Sequence, residues 1–177
     1  KGPDPAGTLR LIFSENIAAI RGNHEDQLIR MADEPVEKLL SRSQAVIKGL
    51  ESDLPHYLEQ ISGWPLYREL EGVDLVHAGL QPGVSQLSEM DPRILLTIRT
   101  WDGEGKQLWS ADDPPWFQIV QWPKKVVFGH WAYQMPTPPP GFYGLDSGCV
   151  YGGWLTAWCA EKDQILRVRA HRQWAPG

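Results

Sequence analysis

An α/β fold is what this 177-residue sequence predicts, on three observations. Ile17-Ala18-Ala19-Ile20 is a short uncharged apolar run. It leads into Arg21-Gly22-Asn23-His24-Glu25-Asp26, after which Leu28, Ile29, Met31 and Ala32 fall at helical spacing. That order reads as a buried strand, a tight glycine turn and a helix. Val73-Asp74-Leu75-Val76-His77-Ala78-Gly79 is a second apolar strand ending in a polar turn, and Val126-Val127-Phe128-Gly129-His130-Trp131 a third.

The other elements follow in order. Asp4 is a good N-cap with Pro5 at the first helical position, and Leu9, Ile12 and Phe13 give one apolar face, so residues 5 to 15 form a short helix. Glu34-Pro35 ends the helix that follows His24. Residues 33–63 then hold two or three short amphipathic helices, carried by Leu39-Leu40, by Val46-Ile47 with Leu50, and by Leu54, Tyr57, Leu58 and Ile61. His56 lies there as a surface histidine. Leu66 to Leu70 and Val73 to His77 make a hairpin about Glu71-Gly72. Asp91-Pro92 starts a helix that leads to Ile98-Arg99-Thr100-Trp101. Pro115 to Val120 is a further short helix. Met135 to Gly141, with four prolines, is a rigid connection. Trp154 to Cys159 and Gln164 to Val168 form a closing hairpin that turns at Glu161-Lys162-Asp163.

Composition narrows the class. The length suits one domain with a sizeable core. Hydrophobic content of 42% and a formal net charge of −5 fit an acidic soluble protein. No apolar run is long enough for a membrane span, and no basic cluster suggests a nucleic-acid surface. The two cysteines, Cys149 and Cys159, read as small buried thiols, so nothing calls for an oxidising compartment. The nine tryptophans read as core and groove walls.

The chemistry gathers where the strands end. Open α/β sheets place ligands outside the carboxyl ends of their strands. Asn23 offers a neutral oxygen there, and His24 a group that moves protons near neutral pH. Taken alone, Gly22-Asn23-His24-Glu25 is equally a polar strand-to-helix turn with Asn23 as N-cap. Three strands that each deliver a metal-capable residue just past the last apolar position are harder to attribute to packing. A metal site needs ligands converging from separate segments, and this pattern supplies them.

With these residues in place the sequence resembles the calcineurin-like metallophosphoesterases of the phosphoprotein-phosphatase superfamily, which carry G-N-H-E, then H-A-G or H-G-G, then G-H. Phe128-Gly129-His130-Trp131, followed by Gly144-Leu145-Asp146-Ser147-Gly148-Cys149-Val150-Tyr151-Gly152-Gly153-Trp154-Leu155-Thr156-Ala157, is similar to the C-terminal signature of the symmetrical diadenosine-tetraphosphatase-like branch. The resemblance implies two mixed β-sheets flanked by helices, with residues 1–177 the C-terminal part of the domain and 33–63 an inserted helical cap beside the site. It implies a cytoplasmic hydrolase that uses two divalent ions (Mn, Fe, Zn, Co or Ni, manganese expected) and a bridging hydroxide to cleave phosphoanhydrides such as dinucleoside tetraphosphates or polyphosphate. Asn23, His77 and His130 are then ligands of one metal, and His24 is the general acid to the leaving oxygen. Lys1 and Arg99 are the substrate-phosphate contacts, and for Arg99 a structural salt bridge is the alternative. Asp146 would orient a ligand histidine from behind; a turn aspartate before Gly148 is the alternative. The implied partner is a small phosphorylated molecule, with neither nucleic acid nor membrane.

The start of the chain departs from this pattern. The family opens with G-D-x-H-G and G-D-x-x-D-R/K-G, and Lys1-Gly2 resembles only the end of the second motif. We therefore expect a piece of a longer protein that lacks the first βα units and the other half of the metal site, and is inactive by itself. Two other outcomes stay open. One is a serine/threonine protein phosphatase or general phosphomonoesterase. The other is a non-catalytic protein that has kept the fold.

Overall fold

A four-stranded sheet organises the molecule, and its strands form where apolar side chains recur without helix breakers. The computed structural model describes residues 2–31, 41–50 and 53–175, with the side chains of 41–45 left aside. Strand β1 (Tyr67–Leu70) pairs antiparallel with β2 (Val73–Val76). The two-residue connection Glu71-Gly72 is possible because Gly72 adopts φ 71. Strand β3 (Lys125–Phe128) lies parallel to β2, and β4 (Phe142–Gly144) parallel to β3, giving the order β1-β2-β3-β4. A second sheet, β5 (Asp146–Ser147), β6 (Trp154–Cys159) and β7 (Gln164–Arg169), is antiparallel throughout.

The core sits against the first sheet. Val76, Val126 and Phe128 are buried on one face of these strands, while Val73, Leu75, Lys125 and Val127 on the other are half-buried. Helix α5 (Pro92–Thr97) adds Ile94 and Leu95, and the one-turn helix α6 (Trp116–Ile119) adds Trp116 and Phe117. Trp116 meets Phe117, Phe128 and Phe142 edge-on at 5.1–5.6 Å between centroids. Asp74 is the exception in this apolar setting. Its carboxylate accepts from Trp122 Nε1 at 2.7 Å and from Lys124 Nζ at 2.9 Å.

A smaller core joins four helices. Helix α1 (Pro5–Ser14) starts as read, with the Asp4 side chain accepting from Gly7 N at 2.7 Å. It packs with α2 (Asn23–Arg30), α3 (Ser41–Leu50) and α4 (Leu54–Ser62) around Leu50, Tyr57 and Ile61. Helices α3 and α4 fall within the expected 33–63 insertion; its residues 33–40 and 51–52 lie outside the described ones. His56 is exposed, as expected.

One expected strand is not formed. Residues 17–20 take no ladder partner among the described residues, and Ile17 stays half exposed. The segment is tied beside β1 by Arg21 N to Pro65 O at 2.8 Å and Arg68 Nε to Ala19 O at 3.2 Å. An apolar run becomes a strand only where a neighbour accepts its backbone groups in series. The cysteines also differ from expectation. Both are free thiols, but each is only partly buried.

Candidate active site

The site forms where β2, β3 and the start of α2 end beside one another. Gly129 N donates to His77 O at 2.9 Å, which locks the end of β3 to the end of β2. Gly22 closes the third side. A Cβ there would lie 2.7 Å from His77 Cε1 and 2.7 Å from Glu25 Oε2, so only glycine lets the imidazole and the first turn of α2 approach this closely. Glu25 reaches back to accept from Gly22 N at 3.0 Å, a capping contact that fixes the entry to the helix.

These constraints bring the expected residues together. Asn23, His24, His77, Arg99, His130 and Asp146 all line one cavity of about 510 Å³. His77 Nε2 and Asn23 Oδ1 lie 2.9 Å apart. The rings of His77 and His130 meet edge-on with centroids 5.2 Å apart. His130 sits at φ 65, a left-handed conformation uncommon for residues other than glycine. His24 is exposed on the first turn of α2.

Burial sets the protonation of the two inner histidines. It lowers the pKa of His77 to about 4. Burial also lowers His130 to about 3, helped by repulsion from His77, Arg99 and His24 and opposed by a hydrogen bond to the backbone of Thr97. Both rings are therefore neutral near pH 7 and can offer a lone pair.

Arg99 reaches the cavity from the strand-like segment after α5. Its backbone is held on both sides, Arg99 N to Leu108 O at 2.8 Å and Trp116 N to Arg99 O at 3.1 Å. The guanidinium lies 5.3 Å from the Trp109 ring centroid and 3.5 Å from His130 O. Its Nε is buried without a hydrogen-bond partner among the described residues. Among the described residues no carboxylate pairs with it, so the salt-bridge alternative finds no support there. For Asp146 the recorded bond is the turn one, accepting from Gly148 N at 3.1 Å. Lys1 lies outside the described residues.

The donor set can be tested against a divalent ion. Two donors at right angles, each ~2.1 Å from an ion, lie about 3 Å apart. The 2.9 Å between His77 Nε2 and Asn23 Oδ1 matches that, and the neutral ring of His130 stands alongside. Among the described residues no group of three or more His, Cys, Asp or Glu is disposed to hold a metal. The set is thus two imidazoles and an amide, which fits one ion with few protein ligands.

Gln27, Tyr133, Cys149, Val150 and Tyr151 also line the cavity and escaped the sequence reading. Gln27 was within reach of it, since it follows Asn23 by one helical turn. Among the described residues no helix is long and apolar enough to cross a membrane.

Comparison with known proteins adds names to this geometry. No family model matches the chain. It is 25% identical to a symmetrical bis(5'-nucleosyl)-tetraphosphatase of Pseudomonas putida (strain W619), across 94% of this chain and 78% of the relative. It is 23% identical to the asymmetrical bis(5'-nucleosyl)-tetraphosphatase PrpE of Geobacillus sp. (strain WCH70), across 99% and 78%. A crystal structure of a protein described as a diadenosine tetraphosphatase superposes with a TM-score of 0.79 at 28% identity, covering 95% of this chain and 75% of the other.

Proposed function

We propose, from its likeness to symmetrical bis(5'-nucleosyl)-tetraphosphatases and to the superposed diadenosine-tetraphosphatase structure, that the chain is a calcineurin-like phosphoesterase of the diadenosine-tetraphosphatase branch and a phosphohydrolase for phosphoanhydrides of the dinucleoside-tetraphosphate class. The observation that carries the reading is the convergence of Asn23, His77 and His130 beside Arg99 in one cavity. The relatives include both symmetrical and asymmetrical enzymes, so the proposal names the substrate class and not the bond cut.

In this reading Asn23, His77 and His130 hold a divalent ion, one of two used by the enzyme, with manganese the expected metal. Such an ion supplies Lewis acidity toward phosphoryl oxygens and lowers the pKa of water to near neutrality. The chain's own residues do the rest. Arg99 binds the phosphate oxygens through a guanidinium whose Nε has no hydrogen-bond partner among the described residues. His24, exposed at the start of α2, protonates the leaving oxygen. Asp146 holds the turn at Gly148 that shapes the cavity wall. Helices α3 and α4, from the 33–63 insertion, act as a cap beside His24.

The test combines specificity with a split of roles. Measured on the full-length protein that carries both halves of the metal site, hydrolysis of diadenosine tetraphosphate should exceed that of a phosphoserine peptide in kcat/KM and should vanish with a chelator. A higher value for the peptide would favour a protein phosphatase instead. His24→Ala should lower kcat by ~10²–10⁴-fold while metal content stays near wild type. His77→Ala should lose metal. Equal metal loss in both variants contradicts the division of labour.

A further inference from the structure

Two aromatic rings stand at the edge of the same cavity and take no part in the chemistry above. Tyr133 and Tyr151 both line it, with ring centroids 4.9 Å apart at 41°. They arrive from different segments, Tyr133 from the loop after β3 and Tyr151 from the turn before β6. Tyr133 is carried between two left-handed residues, His130 at φ 65 and Gln134 at φ 52, a backbone course that few side chains tolerate.

Gly148 supports the pair from below. It adopts φ +69, and a Cβ there would lie 3.7 Å from Tyr151 Cδ2, 3.9 Å from Tyr133 Cε1 and 3.7 Å from Ala132 O. Tyr151 N donates to Gly148 O at 2.9 Å, which closes the turn under the rings. The rings are thus seated on backbone and on each other, yet Tyr133 keeps 49% of its surface exposed. A third ring cannot enter between them, since two stacking gaps of ~3.5 Å each would be needed. The open side of Tyr133 is the surface on offer.

The rest of the cavity presents the Arg99 guanidinium, three imidazoles and the Asp146 carboxylate, which accepts from Gly148 N; the guanidinium is the group that suits an anion. A ligand that satisfies both ends carries phosphates and a flat π-system. We propose that Tyr133, backed by Tyr151, is the platform on which one base of a nucleoside polyphosphate stacks while its phosphates lie toward Arg99. For the phosphate end this rests on the phosphoanhydride reading; the platform stands on its own geometry. Because every base has a π-face, the platform tolerates different bases.

Calorimetric titration of the chain with ADP, adenosine and pyrophosphate tests this, with wild type beside Tyr133→Ala and Tyr133→Phe. Base–aromatic stacking predicts that Tyr133→Ala weakens ADP binding by roughly 5- to 100-fold while Tyr133→Phe retains it. Pyrophosphate should bind all three alike. ADP and pyrophosphate binding with equal affinity, unaffected by Tyr133→Ala, would overturn the platform and leave the phosphoanhydride reading standing. Adenosine binding that depends on Tyr133, with no binding of pyrophosphate, would keep the platform and remove that reading. Binding of none of the three would overturn both.

Discussion

The two sheets use similar residues and reach opposite states. In the first, the central strands β2 and β3 place Asp74, Val76, Val126 and Phe128 at 0–2% exposure. In the second, every residue of β7 is exposed, and Leu155, Leu166 and Val168 keep 65%, 51% and 68% of their surface. The register puts Leu155 opposite Val168 and Ala157 opposite Leu166 on one face, so β6 and β7 share an apolar stripe that packs against none of the described core. Strand propensity is alike in the two regions; what differs is the layer placed over them. Stability therefore concentrates where α5 and α6 cover the first sheet, and the histidines of the site hang from those covered strands. The contrast can be tested with three sets of substitutions, taken from the largest expected effect to the smallest.

Trp116 is fully buried and touches three aromatic rings of the core. Trp116→Ala should destabilise by ~3–5 kcal/mol in urea unfolding, through lost burial and the cavity left behind. Unfolding within 1 kcal/mol of wild type would mean that the first sheet does not carry the stability.

Asp74 comes next. Removing its carboxylate leaves Trp122 Nε1–H without its buried acceptor and Lys124 without its closest anion. Lys124 is one-third exposed and can turn to water, which limits the loss. Asp74→Ala should cost ~1.5–3 kcal/mol, the range for a hydrogen bond to a charged group. The double variant Asp74→Ala with Lys124→Met should recover part of it, and a double variant no better than the single would argue against the pair.

The second sheet supplies the smallest effect. Leu166→Lys and Val168→Thr should each stay within ~0.5 kcal/mol of wild type, as exposed substitutions do. A loss above 1.5 kcal/mol in either would show that this face is covered in solution, and the contrast between the sheets would fall.

Local patterns made much of this legible. Asp4-Pro5 announces α1, and Glu71-Gly72 between two apolar runs announces the β1–β2 hairpin. Three polar strand ends gathered the candidate ligands, and the cavity does contain Asn23, His77 and His130. These readings worked because capping, turn chemistry and side-chain period act over a few residues. Residues 17–20 failed for the complementary reason, since their sequence suits a strand and no partner among the described residues completes the ladder.

The sequence by itself determined the elements and the residues that could carry chemistry, because caps, turns and alternation are properties of neighbours along the chain. Only the tertiary structure decided which partners they meet. The Asp74–Lys124 pair spans 50 positions, and the Asn23–His77 contact spans 54. Folding also set Asp146 against Gly148 N, left Arg99 Nε without a partner among the described residues, and seated Tyr133 and Tyr151 over Gly148. The protonation of His77 and His130 belongs to it as well, since burial holds both rings neutral, and burial exists only once the layers have packed.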